Sequence, residues 1–281
     1  MNIADVYKAE TVKECIKLLA KHKETKIISG GTDLVIKLNE GQIEGISLVD
    51  ISSIKELNFV KIEGNTIHIG SNSTFSDVLN HKSIFPKSIK GFVEALESVG
   101  SPQIRNAGTI GGNICNGSPA ADSIPPLIVL GAKLTIISKK RERIVDIEDF
   151  FLGKGKVDLG SNELLKSISF DIPNEDSKLN FYKYSYRNAL SITLGSVAAL
   201  IDIQNNIVQD IKIATGGFSA YCIREREMEE LMIGKELNEE NLNYLLNSAK
   251  KIVQKRIETF PNDFKVLKNI TIEGALRHVI R

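Results

Sequence analysis

Apolar residues along the first part of the chain follow two different periods. Over residues 11–22, Val12, Ile16 and Leu19 fall on one side of a helix. Residues 26–29 form a short apolar run that enters Gly30-Gly31 directly. Residues 33–38 then read as a helical turn opening after that loop, and 46–50 as another strand. Together they predict a small βαβ-like unit.

The period then shortens to two. Residues 58–62 and 66–70 alternate around Glu63-Gly64-Asn65, which predicts a hairpin. Helical spacing returns over 74–80 and 87–99. Residues 100–116 are dense in Gly, Asn, Pro and Ser and predict a long ordered loop with special backbone angles. Residues 127–137 and 143–147 resume apolar, strand-like character. After the turn-rich 174–178 come strands over 180–186, 196–204 and 208–214, the last two a hairpin across Asn205-Asn206. Helices over 224–233, 239–257 and 271–280 close the chain. Strands followed by segregated helices predict an α+β fold.

Composition narrows the function classes. The chain has 281 residues, 42% of them hydrophobic, enough for a normal core. A net charge of +1 gives no basic stripe for nucleic acid. The local runs at 139–143 and 250–256 read as a turn and a solvated helix face. The start carries Asp5, Lys8 and Glu10 and no apolar signal region. Lys133 interrupts the apolar stretch 124–137, and Thr193, Gly195 and Ser196 interrupt 190–203, so neither is expected to span a bilayer. The expectation is a soluble, cytoplasmic protein. Cys15, Cys115 and Cys222 are too few and too scattered for a disulfide framework or an iron–sulfur cluster. His22, His68, His81 and His278 are scattered too, and no metal site is expected.

The chemistry concentrates in two glycine clusters. The first is Lys26-Ile27-Ile28-Ser29-Gly30-Gly31-Thr32-Asp33-Leu34. A strand ending in paired glycines and opening a short helix lets backbone N–H groups converge on an anion. Thr32 adds a hydroxyl, and Asp33 is expected to cap the helix away from the phosphate. The second is Thr109-Ile110-Gly111-Gly112-Asn113, again expected to offer N–H groups, a hydroxyl and an amide. Two such loops about eighty residues apart suit a ligand with several anionic or polar parts, such as a dinucleotide. Other nucleotide-binding and hydrolytic motifs do not occur: no G-x-G-x-x-G follows a strand, Gly153-Lys154-Gly155-Lys156 is not a phosphate-binding P-loop, and there is no nucleophile elbow.

At these residues the chain resembles the FAD subunits of molybdenum hydroxylases of the xanthine dehydrogenase type. Gly30-Gly31-Thr32-Asp33-Leu34 resembles their pyrophosphate loop. Pro102-Gln103-Ile104-Arg105-Asn106, then Thr109-Ile110-Gly111-Gly112-Asn113 through Asn116-Gly117, then Ala121-Asp122-Ser123, is similar to their second FAD loop. The likeness continues through Gly155-Lys156-Val157, Glu163-Leu164-Leu165, and Tyr182-Lys183-Tyr184 with Arg187.

The resemblance implies a vanillyl-alcohol-oxidase (PCMH)-type FAD-binding domain of two subdomains over residues 1–175. A C-terminal α+β domain, an antiparallel sheet with helices, follows over 176–281. Lys26 to Asp33 would hold the diphosphate, and Thr109 to Asn113 would reach ribityl and diphosphate groups. Leu165 and Lys183 would border the flavin, and Asp122 would bond FAD near its adenosine end. Val99 and Gly100 stand where animal-type members stack an aromatic ring; with Ile104 and Gly108 they complete the expected FAD set. Arg105 reads as a loop-bracing donor and Cys115 as a small loop residue. No His or Cys lies in 29–34, so the FAD is expected to be non-covalent. The implied role is electron transfer, without a catalytic acid or base. Electrons leave a molybdenum cofactor on one partner, pass [2Fe-2S] clusters on another, and reach NAD through this FAD, in a heterotrimer that dimerises. Two other roles fit the same motifs: the FAD subunit of a related hydroxylase acting on nicotinate, another heterocycle or CO, and a stand-alone flavin reductase of the same fold.

Overall fold

The computed structural model describes residues 2–22, 24–185, 193–258 and 261–280. The N-terminal unit is a three-stranded parallel sheet in the order Ile3–Lys8, Ile46–Asp50, Thr25–Ile28. The helix Val12–Lys21 starts where Thr11 accepts a hydrogen bond from the Glu14 N–H, and it buries Cys15, Ile16 and Leu19. These pack with Val49, Ile51, Ile54, Leu57 and Leu164. The edge strand Ile3–Lys8 escapes the sequence pattern because none of its side chains is fully buried, so it shows no alternation.

The second layer is an antiparallel sheet in the order Val60–Glu63, Thr66–Gly70, Glu163–Asp171, Lys133–Ser138, Glu142–Asp146. Its central strand, Glu163–Asp171, is also unannounced by the sequence. The register shifts between Leu165 and Ser167. That bulge breaks the two-residue period, so Leu164 and Leu165 are both buried. Leu164 joins the N-terminal core and Leu165 the main one, so one strand fastens two layers.

Two expectations need correction. Residues 100–116 are not a long loop but two short helices, Pro102–Ala107 and Ile110–Asn116. Ser101 and Thr109 cap them, and Pro102 occupies the first turn, where its missing N–H costs nothing. Of 127–137, only Lys133–Ser138 is strand; Leu127 belongs to the helix Ile124–Val129, which Pro125 and Pro126 open.

The C-terminal sheet runs Lys178–Ser185, Thr193–Gln204, Ile207–Gly216, Ile223–Arg224, all antiparallel. Its hairpin turns at Asn205 and Asn206, both at positive φ (51° and 64°), the hand that a two-residue turn between twisted strands requires. Alternation splits the sheet between two cores. Ala198, Leu200 and Ala214 pack towards Phe92 and Leu127, whereas Val197, Ala199 and Ile201 pack with residues of the helices Glu239–Arg256 and Asn262–Ile280. The last helix begins nine residues earlier than expected, at 262 rather than 271, and the helix expected over 224–233 shrinks to Arg226–Glu230. The fold is α+β. No helix among the described residues is long and apolar enough to cross a membrane.

Candidate functional site

A cleft of about 600 Å³ opens where the N-terminal unit meets the five-stranded sheet. Three stretches wall it: 25–34, 108–116 and 155–165. In the first, a Cβ on Gly30 would lie 1.7 Å from the Ala107 carbonyl oxygen, so only glycine lets the two loops meet. Gly31 sits at φ +69°, in the left-handed region that glycine enters without steric cost. The N–H groups of Gly30, Gly31, Thr32, Asp33 and Leu34 find no hydrogen-bond acceptor among the described residues. Five successive unpaired N–H groups lining a cleft make an anion-binding concavity. Asp33 stands at the N-cap position but its carboxylate caps nothing, contrary to expectation. The side chain is exposed, and its backbone is helical rather than extended, unlike a normal cap. Behind the loop, Ser29 donates to Asn72, whose amide donates in turn to the carbonyls of Ile51 (3.1 Å) and Ser52 (3.2 Å).

The other glycine cluster works differently from the expectation, because its N–H groups are already used. Ile110 donates to Ser73, Gly111 to Ser71 and Asn113 to Thr109, each at 3.0 Å, and Gly112 donates to the Thr109 hydroxyl at 3.1 Å. Its contribution is shape. A Cβ on Gly111 would lie 2.5 Å from the Ser71 carbonyl oxygen, so this glycine lets the helix seat on the sheet. Gly112 is exposed in the cleft, and a Cβ there would meet only the Thr109 hydroxyl, at 2.9 Å. Ser123 holds the Asn113 amide oxygen at 2.7 Å.

Val99, Ile104 and Leu165 line an apolar part of the cleft, with Phe75, Leu159 and Leu164. Arg105 braces the turn before it, donating to the carbonyls of Val99 (3.0 Å) and Gly100 (3.3 Å). Cys115 reaches the cleft from within the helix Ile110–Asn116, and burial pushes its thiol up to about 12, so it stays protonated.

Four of the expected residues, Gly100, Ile110, Asp122 and Lys183, do not line the cleft. Ile110 is fully buried in the main core. Lys183 donates to Asp122 at 2.7 Å and to the Ser98 carbonyl at 3.0 Å, and Thr193 donates to the other Asp122 oxygen at 2.7 Å. Burial drives the Asp122 carboxyl above its ordinary range, while Lys183 and Thr193 pull it back. The contact with Ser98, next to Val99, sets the pair close behind the cleft wall, where Asp122 and Lys183 hold each other. Arg187 lies outside the described residues.

Sequence reasoning missed several lining residues. Lys37, on the helix Leu34–Asn39, donates to Asn116 across the cleft at 2.7 Å. Its signal was its place one helical turn beyond Asp33. Ser71 also lines the cleft, 5% exposed, and its hydroxyl has no partner among the described residues. The wall at 155–165 coincides with stretches that carried the resemblance, Gly155-Lys156-Val157 and Glu163-Leu164-Leu165. Arg143 stiffens it, pairing with Asp158 (2.6 Å) and Glu163 (2.7 Å). Free N–H groups, an orphaned buried hydroxyl and glycines that keep the cleft open fit a ligand with phosphates, hydroxyls and an apolar ring. FAD is such a ligand. Thr32→Ala is expected to weaken FAD binding by about ten- to a hundred-fold, the worth of one hydrogen bond to a charged group. A fluorescence-quenching titration of the flavin-free chain measures this, and unchanged affinity would remove Thr32 from the site.

Fold and cleft thus define a nucleotide-binding α+β protein with a second antiparallel domain. Comparison with known proteins makes this specific. The chain belongs to the family described as the FAD binding domain in molybdopterin dehydrogenase, which matches residues 2–174, and residues 180–259 match the CO dehydrogenase flavoprotein C-terminal domain. It is an FAD-binding oxidoreductase subunit of the molybdenum hydroxylase family. It is 33% identical to a nicotinate dehydrogenase FAD-subunit of Eubacterium barkeri, over 86% of this chain and 83% of the relative. It is also 33% identical to a xanthine dehydrogenase FAD-binding subunit of Escherichia coli O157:H7, over 88% and 85%. In fold it is similar to a chain of a carbon monoxide dehydrogenase from Hydrogenophaga pseudoflava, with a TM-score of 0.89 at 23% identity, covering 98% of this chain and 96% of the other.

Proposed function

We propose that this chain is the electron-transfer subunit of a cytoplasmic hydroxylase complex of the xanthine dehydrogenase type. Residues 1–175 form its flavin-binding domain and 176–281 a second domain. The row of unpaired N–H groups at 30–34 carries this reading, because it is a ready anion site in a cleft whose other walls mix apolar side chains with hydroxyl, amide and charged groups. A bound flavin supplies the ability to take electrons singly and release them in pairs, which suits a junction between iron–sulfur clusters and NAD.

The chain's own residues bind and orient. The N–H groups of 30–34 hold the diphosphate, Gly112 leaves room for the ribityl chain, and Val99, Ile104 and Leu165 exclude water from the ring. Lys183 steadies the segment carrying Val99 through Ser98. No side chain is assigned proton transfer. The [2Fe-2S] clusters and the molybdenum cofactor belong to two partner chains, in a heterotrimer that pairs with a second. The molybdenum chain selects the substrate, which accords with equal identity to nicotinate and xanthine relatives.

Acid precipitation is expected to leave all the FAD in the supernatant, since no histidine or cysteine lies at 29–34. The isolated chain is expected to reduce artificial dyes with NADH yet oxidise no purine, and its two partners should restore NAD⁺ reduction. Flavin retained on the precipitate would overturn the non-covalent mode, and purine oxidation by the lone chain the division of labour. Failure to associate with any iron–sulfur protein would favour a stand-alone flavoenzyme.

A further inference from the structure

Three lysines line the cleft: Lys26, Lys37 and Lys156. Lys26 and Lys156 are exposed, and only Lys37 is half-buried. Its ammonium is held at 2.7 Å by the neutral amide oxygen of Asn116, and no carboxylate pairs with it among the described residues. A cation removed from much of the solvent and given only a neutral partner attracts any anion that enters beside it. Lys37 shares a short helix with the loop whose N–H groups at 30–34 are unpaired, one turn further on. Those N–H groups are uncharged donors, whereas a diphosphate is a dianion. The cleft therefore contains hydrogen-bond donors for the phosphates from one segment and a positioned countercharge from the next.

We propose that Lys37 is the counter-cation for the FAD diphosphate and that Asn116 is its positioning residue. This rests on the FAD reading above. The Lys37–Asn116 bond also ties the two glycine segments, 79 residues apart in the chain, across the cleft before ligand arrives. Binding then requires no reorganisation of the lysine, only a second acceptor for a group with three donors.

The test uses the full chain stripped of flavin and titrated with FAD at about 0.1 M and about 1 M salt, which shortens the screening length from about 10 to about 3 Å. Lys37→Met keeps the aliphatic stem and removes the charge. It is expected to weaken FAD binding about ten- to a hundred-fold at low salt and to flatten the salt dependence seen in the wild type. Lys37→Arg should restore most of the affinity and the salt slope. Asn116→Ala, which frees the lysine but keeps its charge, should lose only a few-fold and keep the slope. Matching thermal unfolding of the flavin-free chains checks that the fold persists. Wild-type affinity in Lys37→Met, or lost affinity with the full salt slope, overturns the countercharge. A correctly folded wild-type chain that binds no FAD would instead overturn the flavin reading itself.

Discussion

A chain carrying Gly112→Val is expected to fold as the wild type does and to be purified colourless. Gly112 is exposed in the cleft, and its missing Cβ faces nothing but the Thr109 hydroxyl at 2.9 Å. A branched side chain there fills space meant for ligand rather than space held by protein, at the cost of disturbing one helix cap, about 1 kcal/mol. The flavin affinity should drop by more than about a hundred-fold, equivalent to ~2.8 kcal/mol. Gly31→Val should empty the same cleft by forcing a β-branched residue to φ +69°, at an added cost of roughly 1–3 kcal/mol in stability. Gly30→Ala is a different experiment, because its methyl would strike the Ala107 carbonyl and separate the loops in the free protein as well. Flavin content and far-UV circular dichroism of the three variants separate these effects. A yellow Gly112→Val protein with wild-type affinity would show that the ligand does not pass this segment.

Lys183→Met should destabilise the flavin-free chain by about 3–5 kcal/mol, lowering Tm by roughly 5–10 °C. The side chains of Lys183 and Asp122 are only 14% and 6% exposed, and removing the ammonium strands a carboxylate that burial already disfavours. The double variant Lys183→Met/Asp122→Asn should recover much of that loss, because no buried charge is then left alone. Differential scanning calorimetry without flavin is the informative measurement. If stability is unchanged there and falls only when FAD is bound, the lysine serves the cofactor directly rather than joining strand Lys178–Ser185 to the helices of the first domain.

The pairing also shows what a resemblance leaves unsaid: the motifs name both residues but not that they hold each other. Asp122 and Lys183 are 61 residues apart and carry no common pattern, so nothing in the sequence says that each satisfies the other. The glycine cluster at 26–34 was legible because its geometry is local: a strand, two glycines and a helix start within nine residues. The cluster at 109–113 has the same residue types, yet its N–H groups at Ile110 and Gly111 are consumed by the Ser73 and Ser71 carbonyls, from a turn about forty residues earlier.

By itself, the sequence determined the elements whose burial follows a simple period: the amphipathic helix over Val12–Lys21, the hairpins at 60–70 and 193–216, and the long helix Glu239–Arg256. It also determined the family, through short motifs whose order and spacing survive without any knowledge of contacts. The tertiary structure alone decided the central strand Glu163–Asp171, because a bulge hides its alternation. It decided that residues 100–116 are helical, because Ser-Pro and Thr before glycines can either turn a chain or start a helix, and packing chooses. It decided as well which donors remain free for a ligand. Hydrogen-bond capacity is written in the residue types, but only the folded chain shows how much of it is left over, and at this cleft, among the described residues, what is left over includes five N–H groups, the Ser71 hydroxyl and a lysine held by an amide.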